Sequence, residues 1–218
     1  GSVNTQDSRI NIAANAKPSN SVGVNSIVVG YQNTTDDEDG TTALGANNQA
    51  YGNSGLAVGN QNESRGGAST AIGAGNRASG AATVAIGNVS NANAKSAIAI
   101  GSYNNVNYKK GTWATAPLQA GAYSTVVGNY SSATGRESAA MGVYSNSVGP
   151  GSFAAGYKEN ALGQNSVAIG SENTSHVADT ITLGQQNNAK TMGGISIGKN
   201  NLTDSSNDGR NAANTRDE

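Results

Sequence analysis

The chain has 218 residues, thirty of them glycine, with no cysteine, one histidine, one tryptophan and a formal net charge of −1 at pH 7. That balance gives no electrostatic case for nucleic acid or an anionic membrane surface, and the absence of cysteine excludes disulfides and thiolate metal sites. Leu, Ile, Val and Phe make up 33 residues, about 15%, too few for an ordinary globular core, yet the net charge is too small for a typical disordered chain.

Taken in chain order, residues 1–23 read as a tag remnant, Gly1-Ser2, followed by a degenerate capping coil. Within RINIAANAKPSNSVG (9–23), Ile10 and Ile12 alternate like a strand, and Gly23 falls seven residues before Gly30. From there a signature of apolar, small, apolar, Gly recurs. Its glycines are Gly30, Gly45, Gly59, Gly73, Gly87, Gly101, Gly128, Gly142, Gly156, Gly170, Gly184 and Gly198. Nine of the eleven intervals are 14 residues, and the two others mark insertions. Such a period is the mark of a repeat architecture.

Within each repeat the residue before the glycine is large (Val29, Leu44, Val58, Ile72, Ile86, Ile100 and so on), with Ala155 the exception. The residue two before it is short: Ala in eight cases, otherwise Val28, Val126, Thr182 or Ser196. This alternation predicts a strand with a large apolar face and a small-residue face. The small Ala155 is balanced on its own face by Phe153, the one phenylalanine.

After each glycine the pattern turns polar. Asn stands third in eight repeats, a small residue fifth, and Gly seventh in six (52, 66, 80, 135, 149, 163). Gly and Asn tolerate positive φ, so two corners per repeat are expected, separating two strands of roughly five residues. The economical result is an all-β, two-sided parallel β-solenoid of about twelve coils. On this reading the large aliphatic groups fill the core, and the small face is shaped for another chain. The apolar content per coil is too low to offset the entropy of ordering fourteen residues, which predicts a homo-oligomer packed along its length.

STAIGAGNRASG (69–80) also satisfies a dinucleotide-binding G-x-G-x-x-[GA] pattern. The phase removes that reading: Gly73 is one of the twelve repeat glycines, no other repeat has a glycine at the position of Gly75, and Gly80 leads to another strand instead of a helix.

NSVAIGSENTSHVA (165–178), STAIGAGNRASG and STVVGNYSSATG (124–135) closely resemble the repeats of the YadA-like heads of trimeric autotransporter adhesins. The resemblance covers roughly residues 21–203. It implies a left-handed parallel β-roll assembled as a homotrimer, outer-membrane display and attachment to host cells. The host ligand would be a matrix protein (collagen, fibronectin or laminin) or an immunoglobulin-like receptor. Residues 24–203 then form the head, and 204–218 an irregular tail leading to an absent neck and stalk.

The second insertion, 107–119, predicts a loop bulging from one corner. It carries Tyr108, Lys109, Lys110, Trp113, Pro117 and Leu118, the aromatic and basic content that binding hot spots favour. Three copies around a trimer would add avidity.

Other features weigh less. The acidic run Asp36–Asp39 lacks the spaced ligands of a calcium loop and reads as solvated, and lone His176 reads as a surface residue. Tyr31, Tyr103, Tyr130, Tyr144 and Tyr157 follow strand glycines and predict a stack along one flank, and the six N-x-[ST] matches are what chance gives in so Asn-rich a chain. No nucleophile, base and orienting acid converge, so no catalytic residue, metal, cofactor, small-molecule substrate or nucleic acid is expected. A phage tail-fibre or tailspike segment on polysaccharide is the alternative, but its paired carboxylates are not evident; an ice-binder's regular Thr ladder is interrupted.

Overall fold

The computed structural model describes residues 3–4, 9–13, 24–36, 38–106 and 121–204. The chain divides into two compact units, residues 1–103 and 104–218. Both are parallel β-solenoids, and the described residues include no helix.

In the first unit the long strands Ile27–Tyr31, Thr42–Ala46, Leu56–Asn60, Thr70–Ala74, Val84–Asn88 and Ile98–Ser102 stack in parallel. They pair glycine on glycine, Gly30 to Gly45 and onward to Gly101. Short strands Thr34–Thr35, Gln49–Ala50, Glu63–Ser64, Arg77–Ala78 and Asn91–Ala92 form the second sheet. Arg9–Ala13 adds in parallel, with Ile10 opposite Ile27 and Ala13 opposite Gly30, and Val3–Asn4 closes antiparallel on it. An antiparallel segment cannot propagate the parallel ladder, and so covers that edge.

The second unit repeats the plan. Its long strands are Thr125–Asn129, Ala139–Val143, Phe153–Tyr157, Val167–Ser171, Ile181–Gln185 and Ile195–Lys199, again in glycine register. Its short strands run from Asn105–Val106 and Ser132–Ala133 to Leu202–Thr203. Each coil is thus a five-residue and a two-residue strand, not two strands of five.

The faces are the reverse of the sequence expectation. The core is the small-residue face: Ala43, Ala57, Ala71, Ala85 and Ala99, and Ala140, Ala154 and Ala168, are fully buried. So are most small residues four before the glycine, such as Ser69, Thr83 and Ser166, and those five after it, such as Ala78, Ser147 and Ala161. A coil of fourteen residues folded back on itself leaves a narrow interior, in which Val28 and Val126 are the largest apolar side chains enclosed, so alternation places the small set inside and the large set outside. Ile72 and Ile86 are half-buried, and Ile100, Met141, Ile181, Leu183, Ile195 and Ile197 are exposed.

The corners also sit elsewhere than expected. The strand glycines lie within the long strands, two residues ahead of the left-handed turn. Positive φ falls two residues after each glycine (Gln32, Asn47, Gln61, Gly75, Val89) and five before it (Asn25, Gly40, Ser54, Ala68, Ala82). Gly75, the odd glycine of STAIGAGNRASG, therefore fills a corner slot that other coils give to Gln, Asn, Tyr, Val, Lys or Glu. The recurrent Gly73-type glycine is required by contact: at φ +121, a Cβ would stand 2.0 Å from the carbonyl oxygen of Gly87 in the next coil. The seventh-position glycines answer the same demand, a Cβ on Gly66 meeting Gly80 O at 1.9 Å.

Candidate binding surface and the ladder behind it

The asparagines three after each glycine turn out to be interior residues, not turn formers. Asn62 shows the arrangement. Its backbone N–H and its Nδ2 both donate to Asn48 Oδ1 of the preceding coil at 3.0 Å. The same Nδ2 reaches Val58 O at 2.8 Å and Gly73 O of the following coil at 2.7 Å. Asn33, Asn48, Asn62 and Asn76 form one run and Asn173, Asn187 and Asn201 another. Each is fully or almost fully buried. A buried amide is tolerated only when its polar atoms are matched, and here each coil supplies the partners of the next.

Ser90, Ser131 and Ser145 replace Asn in three coils. Each Oγ still donates to the next strand-glycine carbonyl, at 3.1, 3.0 and 3.0 Å. Glu159 takes the place of the following step and is fully buried. Burial pushes its carboxyl up to about 7, against the opposing effect of the hydrogen bonds from Asn173.

Two outward surfaces can meet a partner. The first is the aliphatic face of the long strands, where Ile181, Leu183, Ile195 and Ile197 range from 38% to 60% exposed in the second unit. Alternating strands place these side chains in columns, giving a continuous apolar stripe of the kind associated with interfaces.

The second is a corner column. Tyr130 and Tyr144 stack with ring centroids 5.2 Å apart, and Tyr157 meets Tyr144 edge-on at 6.4 Å. The predicted tyrosine stack is thus present for these three; Tyr31 and Tyr103 belong to the first unit. Lys158 Nζ lies 5.0 Å from the Tyr157 ring centroid and 3.5 Å from Glu172 Oε1, and Gln186 Nε2 donates to Glu172 Oε2 at 2.9 Å. The hydrogen bond with Tyr157, then the contact with Glu172, raises the Lys158 ammonium; the hydrogen bond from Gln186, then Lys158, lowers the Glu172 carboxyl. The column contains aromatic edges and one ion pair, a surface for recognition without reactive groups.

The remaining predicted positions divide clearly. His176 is exposed, as expected. Asp36 and Asp39 accept backbone N–H groups, from Gly52 to Asp36 Oδ2 at 3.0 Å and from Val24 to Asp39 Oδ1 at 3.2 Å, so they tie their corner to the coils on either side. No group of three His, Asp or Glu able to hold a metal occurs among the described residues. Tyr108, Lys109, Lys110, Trp113, Pro117 and Leu118 lie outside the described residues; the chain enters that segment from strand Asn105–Val106 and resumes at Gly121. Of the N-x-[ST] asparagines, Asn33, Asn62, Asn173 and Asn201 belong to the buried ladder, whereas Asn88 and Asn129 are exposed.

Sequence reasoning missed Glu159. The only available signal was an acid at a position otherwise held by Asn or Ser, and it is readable only once the third position is known to be interior.

A comparison with curated proteins gives no match. The family "YadA head domain repeat (2 copies)" matches residues 21–47, 37–62, 64–90, 78–104, 120–145, 133–158 and 160–175. These matches cover more than half of the chain in the phase of its glycine-registered coils, and the chain belongs to the YadA head domain repeat family.

Proposed function

We propose that this chain is the head of a bacterial surface adhesin: a left-handed roll that works as a homotrimer, is displayed at the outer membrane, and attaches cells to a host protein. The ligand class is an extracellular-matrix protein (collagen, fibronectin or laminin) or an immunoglobulin-like receptor. Family membership supports an adhesin-type, non-enzymatic role. The observation that carries the assembly is the outward aliphatic stripe: large side chains that an isolated roll leaves in water, flanking a core of alanine and serine too slight to stabilise a lone coil.

The receptor-binding residues we propose are those of the 107–119 insertion, Tyr108, Lys109, Lys110, Trp113, Pro117 and Leu118, because this segment interrupts an otherwise regular surface with the chain's one tryptophan and paired lysines. Two measurements test the reading. Sedimentation equilibrium should give a trimer that Ile181→Ser with Leu183→Ser weakens; a monomer at micromolar concentration would overturn the assembly. A solid-phase panel of the named ligands should show binding that Trp113→Ala with Lys109→Ala and Lys110→Ala abolishes, and unaltered binding by the still-trimeric variant removes the loop from the site.

A further inference from the structure

One step of the interior ladder is neither amide nor hydroxyl. Glu159 Oε1 accepts from Asn173 Nδ2 at 3.1 Å and from Asn173 N at 3.4 Å, the role that Asn Oδ1 has elsewhere. Oε2 stands in the place of the amide nitrogen, buried and without a hydrogen-bond partner. At the other steps a side-chain donor reaches the strand-glycine carbonyl of the following coil: Asn62 to Gly73, Asn104 to Gly128, Ser145 to Gly156, Asn173 to Gly184. Gly170 follows Glu159 in this series, and among the described residues no side chain donates to its carbonyl, in contrast to Gly156 before it and Gly184 after it.

We propose that Glu159 is a neutral carboxylic acid in the folded head, its Oε2 proton replacing the asparagine amide proton toward Gly170 O, and that ionisation loosens the coils on either side. An ionised carboxylate has no hydrogen to offer and would place a full charge among backbone carbonyls in a fully buried site. Among the described residues no cation compensates it. On its own coil, Tyr157 and Lys158 point outward; on the preceding coil, Arg136, Glu137 and Tyr144 are exposed; on the following coil, His176 and Asp179 are exposed and Glu172 is half-exposed. Among the described residues Asn173 alone hydrogen-bonds to the carboxyl group.

The sign of the pH effect follows from the two protonation states. An ordinary glutamate, as in the unfolded chain, loses its proton near 4.5, whereas the buried carboxyl holds it to about 7. Below the first value both states are protonated and stability is complete; it falls as pH rises between the two, and levels off above the second. The folding equilibrium is expected to weaken roughly 300-fold across that window.

The test is thermal unfolding of the full chain, followed by circular dichroism from about pH 5 to about pH 9. The wild-type midpoint should fall as pH rises toward about 7 and level off above it, while Glu159→Gln, which carries its own amide hydrogens, should match it in acid and lose most of that fall. Parallel pH profiles for the two proteins would overturn the proposal. Should the variant not fold, infrared spectroscopy of the wild type near pH 6 supplies a second readout. A protonated-carboxyl band that disappears through neutrality supports the neutral acid, and its absence from the spectrum overturns it.

Discussion

The run Asn33–Asn48–Asn62–Asn76 and the run Ser131–Ser145–Glu159 occupy equivalent interior positions in the two units, on backbones paired in the same glycine register. In the first, each amide binds the coil before and the coil after, and its Nδ2 also reaches back to a carbonyl of its own strand. In the second, a hydroxyl has one hydrogen to give, and the Oε2 end of the carboxyl has no partner. The difference teaches that close coil packing and polar cross-linking are separable: glycine alone sets the spacing, and the ladder then adds stability in proportion to the hydrogens it holds.

The largest effect should erase the contrast. Gly73→Ala and Gly142→Ala would each drive a methyl to within 2.0–2.1 Å of the next coil's glycine carbonyl. Both should cost more than about 4 kcal/mol in urea unfolding, or prevent folding, regardless of which run they interrupt. A benign substitution in one run alone would show that glycine does not set the spacing there.

Next, Asn62→Ala should cost about 2–4 kcal/mol, since it removes the amide donor to Asn48 Oδ1, Val58 O and Gly73 O and also the acceptor of Asn76 N and Nδ2, while Ser145→Ala, losing one donor, should cost about 1 kcal/mol. Equal losses would refute the claim that amide steps hold more. The smallest effect concerns the corner beside Ser90, where the amide run ends. Val89 is β-branched at φ +51. Val89→Asn keeps the turn with a residue that adopts it readily, and should raise stability by roughly 1 kcal/mol, measured as an increased unfolding midpoint.

Much of the fold was legible because a parallel solenoid writes its register into the chain. Gly30 through Gly198 recur at a fixed interval apart from the two places where the sequence carries an insertion, and across the first of these Gly30 still stands opposite Gly45. The phase of the two faces was not legible. Alternation of Ile72, Ala71 and Thr70 is the same whether isoleucine or alanine points inward, and the habit of placing large apolar groups inside gave the wrong answer. The distinction depends on how narrowly a coil closes, a property of the whole turn. The third-position asparagines misled for a related reason: Asn favours corners, but Asn62 has so many partners one coil away on each side that the interior satisfies it better. The candidate receptor loop stood out by composition alone. The tyrosine column was legible for Tyr130 and Tyr144, one period apart.

The glycine-on-glycine register has a bearing on how such heads change length. A coil meets its neighbours through the same short strands, small side chains and glycine carbonyls whichever coil it is. Recombination that duplicates or deletes one 42-base-pair unit therefore presents every remaining coil with a surface of the kind it already fits, wherever no insertion intervenes. Copy number becomes a heritable variable that can be altered without a new fold, while a gain or loss of any other size would put side chains where glycine carbonyls approach.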